Sequence, residues 1–226
     1  MKKKKLNKND TSSKKRSVGK KVAKQASRKR NVNEGTYNGV PYESGCELAF
    51  LYFAEVLKQK GFISKIERSE SFLLCDSITH NYSLTGKRGA SRPMTQTISL
   101  GHSYTADYRV TFTKKALGKF CWLLGDNSKN EKNLFVCQQI DNQYVTYVEV
   151  KPDFDSRGKT RSAINDMKWV FQKHEIFINL FRPNRWFEGT FTPSNYQFTE
   201  RGVKRKLNFE VRTIDEYLKS ILNDKI

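Results

Sequence analysis

The apolar positions of this chain change period several times, and each change predicts an element. Residues 1–35 carry almost no large apolar side chain. Such a stretch of Lys, Arg, Ser and Asn cannot bury enough surface to offset the entropy of ordering, so a disordered arm is expected. Folding should begin near Tyr37, with a turn over Asn38, Gly39, Val40 and Pro41. Ser44 with Glu47 three residues on is a capping-box pattern. Cys46, Ala49, Phe50, Phe53 and Leu57 then recur at helical spacing up to Gly61, while Leu48, Leu51, Tyr52 and Val56 widen the apolar surface. This predicts a largely buried helix over 44–60, stopped by the glycine.

Residues 62–74 read as strand, and the Ser-, Gly- and base-rich stretch 76–97 reads as a loop or flap. Alternation is strict over 103–112: Tyr104, Ala106, Tyr108, Val110 and Phe112 take one side, and Thr105, Asp107, Arg109 and Thr111 the other. That predicts one half-buried strand with Asp107 on its polar face. A short apolar run at 120–124 and a polar break at 126–132 precede a hairpin, 134–139 and 144–151, that turns at Asp141-Asn142. These strands are expected to be sequential neighbours in one sheet. Pro152 ends the last of them, and Ala163, Ile164, Met167, Val170, Phe171 and His174 predict a second helix over 160–174. Residues 176–181 read as a buried strand, and 182–212 as basic, aromatic and turn-rich. Thr213 and Glu216 form a second capping box, opening a short helix with Ile214, Tyr217, Leu218, Ile221 and Leu222 on one side. The order helix, strands, helix, strand is that of an α/β domain.

Length and composition add the partner class. Among 226 residues, 37% hydrophobic is enough for one core, so one domain is expected over 36–226 behind the arm. The formal charge is +19, and residues 1–33 hold fourteen Lys or Arg against the single acid Asp10. A basic arm on a moderately basic domain points to a polyanion, nucleic acid first, because counterion release drives such association without base reading. With no run of eighteen apolar residues and no apolar leader, the chain is expected to be cytoplasmic, neither secreted nor membrane-bound. Cys46, Cys75, Cys121 and Cys137 form no CxxC pair and read as reduced core thiols. His80, His102 and His174 have no zinc spacing and read as ordinary hydrogen-bonding residues. Trp169, Phe171, Phe177, Phe181 and Trp186 read mostly as core, with Trp186 and Tyr196 also weighed for contact with DNA bases.

The candidate chemistry lies in Val148-Glu149-Val150-Lys151. The two-residue period of a strand puts Glu149 and Lys151 on one face and the valines on the other. An acid and a base there are either a surface ion pair or groups buried for a purpose.

Three short motifs in order bring a resemblance. Ser44-Gly45-Cys46-Glu47, Tyr104-Thr105-Ala106-Asp107-Tyr108 and Val148-Glu149-Val150-Lys151 resemble the motifs of PD-(D/E)XK nucleases, within them the phage endonuclease I type of Holliday-junction resolvase. The resemblance covers about residues 42–181. Ala106 stands where that family has Pro, Pro152 follows the lysine where Gly is common, and about forty residues separate Asp107 from Glu149.

The resemblance implies a restriction-endonuclease-like αβββαβ core, with a mixed central sheet flanked by helices. It also implies hydrolysis of DNA phosphodiesters, with selectivity for branched DNA, to 5′-phosphate and 3′-hydroxyl ends. Asp107, Glu149 and the carbonyl of Val150 would bind Mg²⁺, with Mn²⁺ able to substitute. Glu47 would hold a second ion or orient a water, its other reading being the capping box alone. Lys151 would position or activate the attacking water. A homodimer is implied because a junction needs two cuts. Alternatives in view are a sequence-specific or transposon-end nuclease that reads DNA through 113–143, and a non-catalytic DNA-binding or packaging protein. Lys14, Lys15, Arg16, Arg28, Lys29 and Arg30 of the arm are expected DNA contacts, with Arg88, Arg92, Arg161, Arg185, Lys204 and Arg205 of the domain.

Overall fold

The computed structural model describes residues 34–126, 133–154, 158–199 and 201–223. The expected arm, including Lys14, Lys15, Arg16, Arg28, Lys29 and Arg30, lies outside the described residues. Strands β1 (Gly35–Tyr37) and β2 (Val40–Tyr42) form a small hairpin around Asn38 and Gly39, both at positive φ. Helix α1 (Gly45–Gln59) begins where its sequence predicts, with Ser44 Oγ accepting from the Glu47 amide at 3.2 Å. It ends in a Schellman arrangement: the Phe62 amide donates to the Leu57 carbonyl and the Gly61 amide to the Lys58 carbonyl, with Gly61 at φ +75°.

The strands are β3 (Ile63–Arg68), β4 (Ser71–Cys75), β5 (Ile78–Thr85), β6 (Ser91–Ser99), β7 (His102–Thr105), β8 (Tyr108–Phe112), β9 (Cys121–Leu123), β10 (Phe135–Ile140) and β11 (Gln143–Val150). Helix α2 (Lys159–His174), strand β12 (Ile178–Phe181) and helices α3 (Pro183–Gly189) and α4 (Ile214–Asn223) complete the described elements. A mixed six-stranded sheet runs β3-β8-β11-β10-β9, with β12 parallel to β11. The fold is therefore mixed α/β. The turn Asp141-Asn142 has positive φ at both positions, the I′ geometry that suits the twist of a hairpin.

Along one edge of β11, β10 covers Gln143 to Val145 and β12 covers Tyr147 to Val150. Asn179 closes the join. Its amide accepts from the Val136 amide at 2.8 Å and donates to the Val136 carbonyl at 2.9 Å and to Thr146 Oγ1 at 2.6 Å. A buried side chain here replaces backbone pairs that two strands meeting end to end cannot make.

Two cores lie on opposite faces of the sheet. Tyr108, Val110, Phe112, Val148 and Val150 pack with Phe50 and Phe53 of α1, with Trp186 and Phe187 of α3, and with Ile214 and Tyr217 of α4. Val145, Tyr147 and Ile178 pack with Phe72 and Leu74 of β4, Tyr104 and Ala106, and Val170 of α2. Among the described residues no helix is long and apolar enough to cross a membrane.

Several expectations are corrected. The alternating run 103–112 is two strands in two sheets: β7 pairs with β4, β8 joins the central sheet, and the chain breaks at Ala106 and Asp107. Tyr104 and Ala106 therefore face one core and Tyr108 the other, which a single strand would forbid. The stretch 62–74 likewise divides into β3 and β4. The flap at 76–97 is a regular antiparallel ribbon of β5 and β6. The neighbour of β8 is β11, since β9 lies outside β10. Helix α3 has its Pro at the first turn, and its capping carboxylate comes from a distance: Asp153 accepts from the Asn184 and Arg185 amides at 3.1 and 3.3 Å. Trp169 and Phe171 are exposed, because the narrow buried stripe of α2 is Ala163 and Val170.

Candidate active site

β8 and β11 run antiparallel with Tyr108 opposite Val148 as the last registered pair. One step further the chain leaves β8 at Asp107, and the Asp107 carboxyl comes close enough to Glu149 for the two charges to act on each other. The backbone of β11 fixes this approach, because the Val150 amide donates to Asp107 Oδ2 at 2.6 Å. Glu149 is 4% exposed, and its Oε1 takes the Lys151 ammonium. Its Oε2 is buried, with the Tyr104 phenol beside the carboxylate.

The electrostatics follow from this crowding. Burial first, and the Glu149 charge second, push the Asp107 carboxyl up to about 7; the Val150 amide and Lys151 oppose that shift, and Glu47 adds to it. Tyr104 stands in the same cluster. Burial, then the charge of Glu149 and a hydrogen bond to it, then the charges of Asp107 and Asp166, raise its phenol well above the ordinary range. Its hydroxyl and Glu149 Oε2 are both buried in this cluster.

Glu47 lies beside this pair from α1, held by several donors. Its Oε1 accepts from Ser44 Oγ at 2.9 Å, and its Oε2 from the Glu43 amide at 3.1 Å, Arg68 at 3.0 Å and the Tyr108 hydroxyl at 3.3 Å. Arg68, at the end of β3, also donates to the Asp107 carbonyl at 3.4 Å and to Glu43 at 2.7 Å. Glu47 thus caps its helix and ties α1 to the strand break that carries Asp107.

Four expected residues, Glu47, Asp107, Glu149 and Lys151, come together with the backbone of Val150. Among the described residues no three His, Cys, Asp or Glu side chains converge as a ready metal cage. A cation would rest on the Asp107 and Glu149 carboxylates, with backbone oxygen and water completing its shell. This hard-oxygen set suits Mg²⁺ or Mn²⁺, and Glu149 Oε2, beside the Tyr104 phenol, keeps a lone pair for such an ion.

Sequence reasoning missed Arg68, Tyr104 and the pair of His102 Nε2 with Asp166 Oδ1 at 3.0 Å. Arg68 reaches Glu47 across twenty-one positions, which no local pattern reports. Tyr104 was legible as a member of the alternating run and of the Asp107 motif, with no role of its own.

The expected DNA contacts of the domain do not gather at this site. Arg88 lies in the turn of the ribbon and Arg92 on its second strand, Arg161 in the first turn of α2, Arg185 on α3, and Lys204 and Arg205 in the loop before α4; all are exposed. Arg205 stacks its guanidinium over the Tyr196 ring at 4.9 Å. Trp186 is buried against Phe135 and Phe181. Within 113–143, Ala116, Phe120, Cys121, Phe135 and Cys137 are buried in the α1-side core, so the described part of that region extends the sheet.

No family model, no curated protein and no solved structure matches this chain.

Proposed function

We propose that this chain is a divalent-metal-dependent endodeoxyribonuclease of the PD-(D/E)XK type. The observation that carries the reading is the close approach of the buried Asp107 and Glu149 carboxylates, with Lys151 on one oxygen of Glu149 and the Tyr104 phenol beside that carboxylate. A structural ion pair would not need this arrangement. Burial first, and then repulsion from Glu149, raise the Asp107 carboxyl, so the site holds these groups at a cost. Groups held against their own preference are characteristic of reactive sites. The order α1, β3, β8, β11, α2, β12, with three antiparallel strands and a fourth parallel to the third, supports a restriction-endonuclease-like core.

In this reading Asp107, Glu149 and the Val150 carbonyl hold the ion. A bound Mg²⁺ or Mn²⁺ would polarise the scissile phosphate and acidify a water. Lys151 supplies positive charge beside Glu149, where it can orient the attacking water and offset charge gathering on the phosphate oxygens. Glu47, fixed by Ser44, Arg68 and Tyr108, positions the Asp107 segment and faces the ion from the helix side. Branched DNA as substrate and a homodimer as the acting unit follow from the resemblance of the three motifs and from the need for two symmetric cuts. The test is cleavage of a synthetic four-way junction against a linear duplex of the same arms in Mg²⁺. Asp107→Asn, Glu149→Gln and Lys151→Ala are each expected to lose at least a hundredfold in rate. Equal cleavage by these variants would remove the reading, and preference for the linear duplex would remove the branched substrate.

A further inference from the structure

The β5–β6 ribbon is spent on nothing the fold requires. Every residue from 76 to 101 is exposed except Met94, which is half-buried, so the ribbon adds almost nothing to either core. It is nonetheless regular: eight registered pairs join the strands, and a tight turn closes the tip, with the Gly86 amide donating to the Ala90 carbonyl at 2.8 Å and Gly89 at φ +79°. An isolated two-stranded ribbon is marginal in water unless something else lies against it.

Its chemistry selects the occupant. Between residues 77 and 103 there is no Asp or Glu, while Lys87, Arg88 and Arg92 crowd the tip. One face sets hydroxyl and amide groups opposite each other in the pairs Thr79 with Thr97, Asn81 with Thr95, and Thr85 with Ser91, with Ser83 against Pro93 among them, while Arg92 lies on the other face with Tyr82 and Leu84. Short polar side chains at the pleat spacing, with cations at the end, are donors suited to a sugar-phosphate surface. A second copy of the ribbon is the poorer fit, because between residues 77 and 103 neither copy offers an acidic side chain to meet the Lys and Arg of the other. The ribbon is also joined to the site: it is inserted between β4 and β7, and β7 runs through Ala106 directly into Asp107.

We propose that the β5–β6 ribbon is a DNA-gripping arm that lies along a groove of the duplex flanking the cleavage site, with Lys87, Arg88 and Arg92 on phosphates. A two-stranded ribbon fits the width of the major groove. This inference rests on the nuclease reading for the identity of the polyanion, but it concerns binding, so it can fail separately.

The experiment uses the full chain, with its basic arm, in EDTA so that no cutting occurs. Affinity for a junction and for a linear duplex is measured by fluorescence anisotropy across a salt series, for the parent, for the triple variant Lys87→Ala/Arg88→Ala/Arg92→Ala, and for the corresponding triple Glu variant. Each phosphate contact contributes about 0.9 to the salt slope of B-DNA binding. The expected result is a slope lower by roughly 2 to 3 in the Ala variant, affinity lower by about tenfold or more at moderate salt, and a further fall in the Glu variant. Hydroxyl-radical footprints should lose protection on one flank only. Because the altered residues are exposed, unchanged circular dichroism and melting are expected. Unchanged slope and footprint in a parent that does bind and cut DNA would overturn the arm while leaving the nuclease reading intact. A parent that binds neither DNA would overturn both. A shift of the triple variants from dimer to monomer at unchanged DNA affinity would assign the ribbon to a protein interface and overturn the proposal.

Discussion

The amide of Val150 donates to Asp107 Oδ2 across 2.6 Å, so the strand that carries Glu149 also holds the opposing carboxylate in place. Two acids are thereby fixed in one partly buried site, and the Asp107 carboxyl is pushed up to about 7, first by burial and then by Glu149. The consequence for stability has a definite sign. In the unfolded chain this proton leaves near the ordinary aspartate value, whereas the folded state keeps it until about pH 7. Folded protein therefore binds more protons across that window, and stability falls as pH rises from about 4 to about 7, then levels. Asp107→Asn lacks the penalty. In metal-free buffer it should be more stable than the parent at pH 8, on the order of 2 to 4 kcal/mol, and equal to it near pH 4. Chemical unfolding at both pH values measures this, and parallel curves for the two proteins would contradict it.

Glu47 and Arg68 form the second dependency. The Glu47 side chain is 9% exposed and that of Arg68 31%, so the carboxylate is the member that suffers when the pair is broken. Arg68→Ala should cost about 1 to 3 kcal/mol, the half-exposed guanidinium lowering the figure usual for a fully buried pair. Glu47→Gln keeps Ser44 and Tyr108 as partners and should cost less. A double-mutant cycle between the two positions is expected to give clear coupling, and additive losses would show that the contact contributes little.

Asn179 makes the sheet continuous where β10 and β12 meet. Asn179→Leu, close in volume, would leave the Val136 amide and carbonyl and Thr146 Oγ1 without this partner, all in a buried region. A loss of about 2 to 4 kcal/mol is expected, with the denaturant midpoint shifted and the slope unchanged. Retention of the parental midpoint would mean that neighbouring groups can take over these bonds.

What could be read from the residues was what local spacing encodes. Both capping boxes, the Gly61 stop, the turn at Asp141-Asn142 and the inward valines of β11 are local rules, and each appears in the structure. Motif order picks out Glu47, Asp107, Glu149 and Lys151, and the fold brings these four together. The break at Ala106 and Asp107 was hidden because alternation continues through it: Tyr104 and Tyr108 are both buried, but in different cores. Arg68 on Glu47, Asp153 on α3 and Asn179 across the sheet are contacts between distant segments, for which spacing carries no signal. The ribbon was hidden for a different reason. Its Ser, Thr and Gly content reads as loop when no face needs to be apolar.

Metal should reverse the cost of the carboxylate pair. A divalent cation on Asp107 and Glu149 must displace the proton that Asp107 retains up to about pH 7, so binding releases protons and strengthens as pH rises through that value. Mg²⁺ at ten times its dissociation constant adds about 1.4 kcal/mol to folding stability, and the gain should be largest at pH 8 and small at pH 5. Glu149→Gln removes one ligand and the charge that repels the Asp107 carboxylate, and it leaves Lys151 an amide in place of its carboxylate partner. That variant should be more stable than the parent without metal, yet gain little when metal is added. Asp107→Asn should behave alike, whereas Lys151→Ala should still gain, since it removes a competitor for Glu149 Oε1 and no oxygen ligand. Melting curves of the four proteins in EDTA, Mg²⁺ and Mn²⁺ at both pH values provide the measurement. An equal metal-induced shift in the parent and in Glu149→Gln would place the ion elsewhere, since stabilisation that ignores the loss of a ligand cannot arise at that ligand.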